Sequence, residues 1–232
     1  MYARLDRLIV KLFRAEESLD LHLLIDTSKS MAIGNPSKLD YALCAAAALA
    51  YVALARHERV SIGLFDGTLH SRIAPTSGKK QFITLLKRLA GTHPEGTTDF
   101  KSSLSTYASR NRKPGLAILI SDLFEAGENY QLGISALRQR RFEVKVLHVL
   151  AQEELAPTVG GPLKLVDIET DQVRQIFADK RAIASYSANL ARFCKDIENF
   201  CSQHGIAYWQ ASTATHFEEL LFQRLRERRF LQ

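Results

Sequence analysis

Oxygen-bearing side chains that follow apolar runs are where this chain could do chemistry. Residues 21–31 read LHLLIDTSKSM: Leu21, Leu23, Leu24 and Ile25 stop at Asp26, and Ser28 and Ser30 follow on alternate positions. An apolar run bounded by polar residues reads as a buried strand, central in a parallel sheet. Ligands of open α/β sheets bind in the crevice outside the carboxyl ends of the strands. A carboxylate and two hydroxyls on one such loop form an all-oxygen cluster, which suits a hard divalent cation, Mg²⁺ above all. The cluster holds neither a general base nor a thiol, so it reads as a binding site before an active site. Two later stretches match it. The loop HPEGTTDF (93–100) opens a helix, and the apolar run LAILI (116–120) ends in Ser121-Asp122.

The elements that must position these loops alternate along the chain. After Gly34, Asn35 and Pro36, Ser37 is the expected N-cap of a helix running to about His57, whose alanines let it approach a sheet closely. Strands are expected at 59–65 and at 68–74, the second pairing back as an antiparallel edge after Asp66-Gly67. A short amphipathic helix follows at 78–89, and another runs from Phe100 to Arg110. A helix at 127–141 and a strand at 142–150 continue the rhythm, which loop residues then break from 151. A hairpin is expected around Thr170-Asp171. A long helix at 180–204 with Gly205 as its C-cap, a strand at 206–210 and a closing helix at 213–230 complete the chain. This order predicts a doubly wound, mostly parallel α/β sheet with one antiparallel edge strand and helices on both faces, plus a small hairpin insertion near 161–178. Residues 8–13 alternate like a strand, and 1–18 read as the tail of an N-terminal region truncated upstream, with 19–232 forming one domain.

Length and composition bound the partners. The chain has 232 residues, 46% hydrophobic and 24% charged, which is ordinary globular composition. Its net charge is +6, but the basic residues are interleaved with acids, unlike the clustered stripe of a nucleic-acid binder, so none is expected as a partner. Cys44, Cys194 and Cys201 are too few for a disulfide framework and read as buried thiols in a reducing, cytoplasmic setting. The uncharged, alanine-rich run 41–55 falls short of the ~20 residues that span a bilayer and reads as a core helix. His22, His148 and Trp209 fall in strand patterns and read as core, while His93 reads as an exposed loop residue. The arginines at 224, 226, 228 and 229 read as a solvated helix end, or as a docking patch for an acidic partner or anionic lipid.

Asp26-x-Ser28-x-Ser30, Thr97/Thr98-Asp99 and Asp122, in this order, resemble the von Willebrand factor A domain with a metal-ion-dependent adhesion site. More narrowly, LLIDTSKSM (23–31), GTTDF (96–100), ILISDLF (118–124), LVDIET (165–170) and the lead-in YARLDRLIVKLFRAEE (2–17) resemble the bacterial and archaeal domain-of-unknown-function-fifty-eight family. The resemblance implies a metal set of Asp26, Ser28, Ser30, Thr98 and Asp122. The serine hydroxyls would bind the ion directly, Thr98 would bind in a ligand-engaged state, and the aspartates would act directly or through water. The ion implied is Mg²⁺, with Mn²⁺ or Ca²⁺ as alternatives, and an open position on it would accept an acidic side chain of a protein partner. The sequence has Gly-Thr-Thr where Gly-Gly-Thr is commoner, which leaves Thr97 as a rival to Thr98. The favoured reading is a non-enzymatic interaction module, and the family further implies that it partners a MoxR-type AAA+ ATPase in chaperone-like assembly or remodelling.

Other readings stand beside this one. An Asp or Ser after a strand also serves as a plain turn former or cap, and Asp99 and Glu125 could support the set or merely face solvent. A metal-dependent hydrolase could use the same oxygens, although water activation usually takes more carboxylates or histidines. A phosphate loop and a Gly-x-Ser-x-Gly elbow are both absent. A scaffold with a vestigial site is the third alternative.

Overall fold

The computed structural model describes residues 19–111, 113–125, 129–157, 161–166, 173–216 and 219. The expected strand at 8–13, the turn at Thr170-Asp171 and the C-terminal arginines lie outside them. The expected closing helix does not begin at Thr213, because 213–216 form a turn, and nearly all of its remainder also lies outside the described residues.

A six-stranded sheet carries the fold. In chain order its strands are β1 (Asp20–Asp26), β2 (Arg59–Phe65), β3 (Leu69–Thr76), β4 (Leu116–Ser121), β5 (Glu143–Leu150) and, last, β8 (Ala207–Ser212). They lie in the order β3-β2-β1-β4-β5-β8. All neighbours are parallel except β2 and β3. The central strands are buried on both faces, so they are apolar without alternation. Ile25 lies opposite Ile120 in the register, which brings the end of β1 beside the end of β4. The antiparallel hairpin β6 (Gly161–Val166) and β7 (Val173–Ala178) forms a separate two-stranded sheet.

Helices cover both faces. On one, α1 (Lys38–Ala55) and α2 (Phe82–Leu89) pack their leucines and alanines against Leu21, Leu23 and Ile25. On the other, α3 (Phe100–Arg110), α4 (Asn129–Gln139) and α6 (Lys180–Gln203) close over Leu24, Phe65 and Leu119. Helix α1 starts at a capping box in which Ser37 accepts from the Asp40 amide and Asp40 accepts from the Ser37 amide. By length and composition α1 could cross a membrane, but in this fold it packs as a core helix against the sheet. A one-turn helix, α5 (Gln152–Leu155), interrupts the stretch expected to be loop after β5. It is too short for a 3.6-residue period to show in sequence. Of the three free cysteines only Cys201 is buried; Cys194 is half-buried and Cys44, on the outer side of α1, is exposed.

Candidate metal centre

The carboxyl ends of β1 and β4 converge. Asp26 is fully buried, with Oδ1 accepting from the Ser28 amide at 2.9 Å and Oδ2 from the Ser121 hydroxyl at 2.6 Å. The Ser28 and Ser30 hydroxyls are 3.0 Å apart, both on buried residues. The loop before α3 is tied to this one through its backbone: the Lys29 amide donates to the Gly96 carbonyl at 3.1 Å, and the Glu95 amide to the Thr27 carbonyl at 2.8 Å. Gly96 takes φ +68°, and a Cβ there would lie 2.6 Å from Asp66 Oδ2, so the turn requires glycine.

That turn separates the two threonines. Thr97 is exposed, whereas Thr98 is buried and its Oγ1 has no hydrogen-bond partner among the described residues. Buried polar atoms are ordinarily paired, so this hydroxyl suits a group that the described residues do not supply. Asp99, a candidate supporting residue in the sequence, caps α3 instead, accepting from the Ser102 amide at 2.7 Å.

Asp122 completes the cluster from β4. Its Oδ1 accepts from the Phe124 amide at 3.1 Å. The next residue, Leu123, is buried at φ +57°, a left-handed conformation costly for a branched side chain and typical of functional turns. His148 Nε2 donates to the Asp122 carbonyl at 2.9 Å, which fixes its tautomer and leaves Nδ1 to accept from the Tyr208 hydroxyl at 2.7 Å. Burial, with Asp122 nearby, pushes the Asp26 carboxyl up to about 7, against the lowering effect of the bonds from Ser121 and Ser28.

A cation not foreseen from the sequence is already present. Lys38, fully buried, donates from Nζ to Asp122 Oδ2 at 2.7 Å and to Glu154 Oε1 at 2.6 Å, and lies 5.0 Å from the centre of the Phe124 ring. Glu154 in turn accepts from the Ala151 amide at 2.8 Å, which anchors α5 beside the cluster. Asp26, Asp122 and Glu154 against one ammonium leave a formal charge of −2 when all are ionised. Among the described residues no three His, Cys, Asp or Glu side chains form a metal-holding group, so any ion here would rest on hydroxyls, these few carboxylates and water. That donor set fits Mg²⁺, which keeps several waters.

Comparison with known proteins places the chain. Residues 1–193 match the family described as protein of unknown function DUF58. The chain belongs to this family. Uncharacterized proteins of Mycobacterium bovis and Mycobacterium tuberculosis are each 27% identical to it over 191 residues, which cover 77% of this chain and 59% of theirs. The DUF58 chain therefore spans well under two thirds of the length of these relatives. Among solved structures, the conserved hypothetical protein BatB from Bacteroides thetaiotaomicron superposes with a TM-score of 0.55 at 16% identity, over 90% of this chain and 98% of that one. An aerotolerance-related membrane protein from Bacteroides fragilis gives 0.56 at 14% identity, over 90% and 100%. The fold is von Willebrand factor A-like: a doubly wound α/β sheet with one antiparallel pair.

Packing behind the centre of this DUF58 chain makes a prediction. Gly133 of α4 faces the start of α3, and a Cβ there would lie 2.6 Å from the Phe100 carbonyl oxygen, two residues from Thr98. Gly133→Ala must displace backbone rather than a flexible side chain. It is expected to cost about 1–3 kcal/mol in urea unfolding and to shift the amide resonances of Thr98 and Asp99. An unshifted loop would mean that α4 yields alone.

Proposed function

We propose that this DUF58 chain is a non-enzymatic, Mg²⁺-dependent protein-interaction module. Asp26, Ser28, Ser30, Thr98 and Asp122 would hold the ion, with Mn²⁺ or Ca²⁺ as substitutes. The bound ion would supply an electrophilic open position for an acidic side chain of a partner. The chain's own residues shape that position. The Ser121 hydroxyl and Ser28 amide orient the Asp26 carboxylate, Leu123 turns the chain sharply after Asp122, and Lys38 holds Asp122 from behind. The observation that carries the reading is the buried Thr98 Oγ1, without a partner among the described residues, in a loop tied to the Asp26 loop. Family membership and the excess of carboxyl groups over ammonium in the cluster support it.

The partner class, a MoxR-type AAA+ ATPase in cytoplasmic chaperone-like assembly or remodelling, rests on resemblance to the family alone. The test is a pull-down of that ATPase with purified chain. Asp26→Ala and Ser28→Ala are each expected to abolish Mg²⁺-dependent capture while leaving the circular dichroism spectrum unchanged. Capture undiminished in excess EDTA would instead favour a scaffold that needs no metal. The specific observation on that side is Lys38, whose ammonium already neutralises Asp122.

A further inference from the structure

The opposite end of the sheet gathers positive charge from four elements. A cavity of about 320 Å³ opens at the amino ends of β1 and β2, lined by Asp20, His22, Arg59, Arg72, Arg110 and Lys113 among others. Arg59 pairs with its cross-strand neighbour Asp20 at 3.1 Å. Arg72 of β3, Arg110 at the end of α3 and Lys113 form no ion pair with any described residue. Among the described residues the charged lining groups, four basic and one acidic, carry a formal +3.

A buried polar atom marks the same wall. His22 is 2% exposed, and its Nε2 has no partner among the described residues. Its Nδ1 lies 2.8 Å from the Ser61 hydroxyl and 2.9 Å from the Tyr107 hydroxyl. Where Nδ1 accepts from one of these hydroxyls, the ring proton sits on Nε2 and makes it a donor. Burial, with Arg72 and Arg59 adding to it against Asp20, lowers the His22 pKa to about 4. Near neutrality the ring is therefore uncharged and offers a neutral N–H in addition to the cations.

We propose that this cavity binds a small phosphate-bearing anion of the diphosphate class. Arg72, Arg110 and Lys113 supply the charge and His22 a hydrogen bond. Guanidinium forks match phosphoryl oxygens bidentately. The volume is at the lower end of small-molecule sites, large enough for a diphosphate group. The site lies at the other end of the strands from Asp26 and stands whether or not a metal binds there.

The test is calorimetric titration of the full chain with pyrophosphate in EDTA at near-physiological salt. Saturable binding is expected, weakened at least tenfold in the Arg72→Gln/Arg110→Gln double variant and unchanged in Ser28→Ala. Both arginines are exposed, so the double variant should keep the melting temperature of the parent. A shift of the His22 side-chain ¹⁵N signals on adding pyrophosphate is the local readout. Absence of saturable binding, or equal binding by the double variant, overturns the assignment. So does sedimentation with phosphatidic-acid vesicles by a chain that ignores soluble pyrophosphate.

Discussion

Replacing Lys38 by methionine is expected to lower the folding free energy by about 3–5 kcal/mol, the usual cost of stranding a buried charge. The ammonium is the only basic group paired with Asp122 among the described residues, and Asp122 is fully buried, so no water replaces it. Glu154 is 10% exposed and can partly rehydrate, which makes Asp122 the main loser. A second substitution separates lost charge balance from lost packing. Methionine keeps most of the side-chain volume, so Lys38→Met/Asp122→Asn, which removes the stranded charge as well, should recover much of the loss. Urea unfolding of the three proteins decides it, and a loss below about 1 kcal/mol in Lys38→Met would show that Asp122 is not held by charge. If the cluster binds Mg²⁺ as proposed, the ion should stabilise Lys38→Met more than the parent, since it then supplies the only cation for Asp122.

Lys38 also shows where the sequence stopped being legible. Ser37 and the helix behind it are local features, and the N-cap lies where the sequence places it. Strand β2, the order of the candidate metal loops and helix α3 are likewise set by runs that can be read in place. Lys38 is bonded to Asp122 across 84 positions by a side chain whose reach no periodicity encodes. A faint signal existed: a lysine in the first turn of a helix opposes the macrodipole, and its burial is explained only by carboxylates from elsewhere. Ser121 was visible as the end of a strand, but its bond to Asp26 follows from strand register. The basic residues illustrate the same limit. Dispersed in sequence, Arg59, Arg72, Arg110 and Lys113 meet because β1, β2, β3 and α3 bring their ends to one edge. In the sequence Thr98 is preferred to Thr97 for its place directly before Asp99, and the turn at Gly96 adds the physical difference, one side chain buried and the other exposed.

Acid should weaken the fold through two histidines and be opposed by one aspartate. Burial holds both His22 and His148 at about 4, below the ordinary 6.5. For His22, Arg72 and Arg59 act with burial against Asp20; for His148, Lys38 acts with burial against Asp122. As pH falls below 6.5 the unfolded chain takes up two protons that the folded chain refuses, so the stability present above 6.5 is lost as pH falls towards 4. Each histidine contributes on the order of 3 kcal/mol over that range. Asp26 runs the other way in the metal-free protein. With its carboxyl raised to about 7, the folded state holds a proton that the unfolded state releases until near 3.8. Between pH 5 and 6 these groups together leave one net proton, a slope of about 1.4 kcal/mol per pH unit. Asp26→Asn removes the opposing proton and should steepen the slope to about 2.7 kcal/mol per pH unit. His22→Gln should flatten it by about 1.4. Urea unfolding in EDTA at pH 5, 5.5 and 6 measures all three slopes. An unchanged slope in Asp26→Asn would mean that its carboxyl is already ionised in the folded chain.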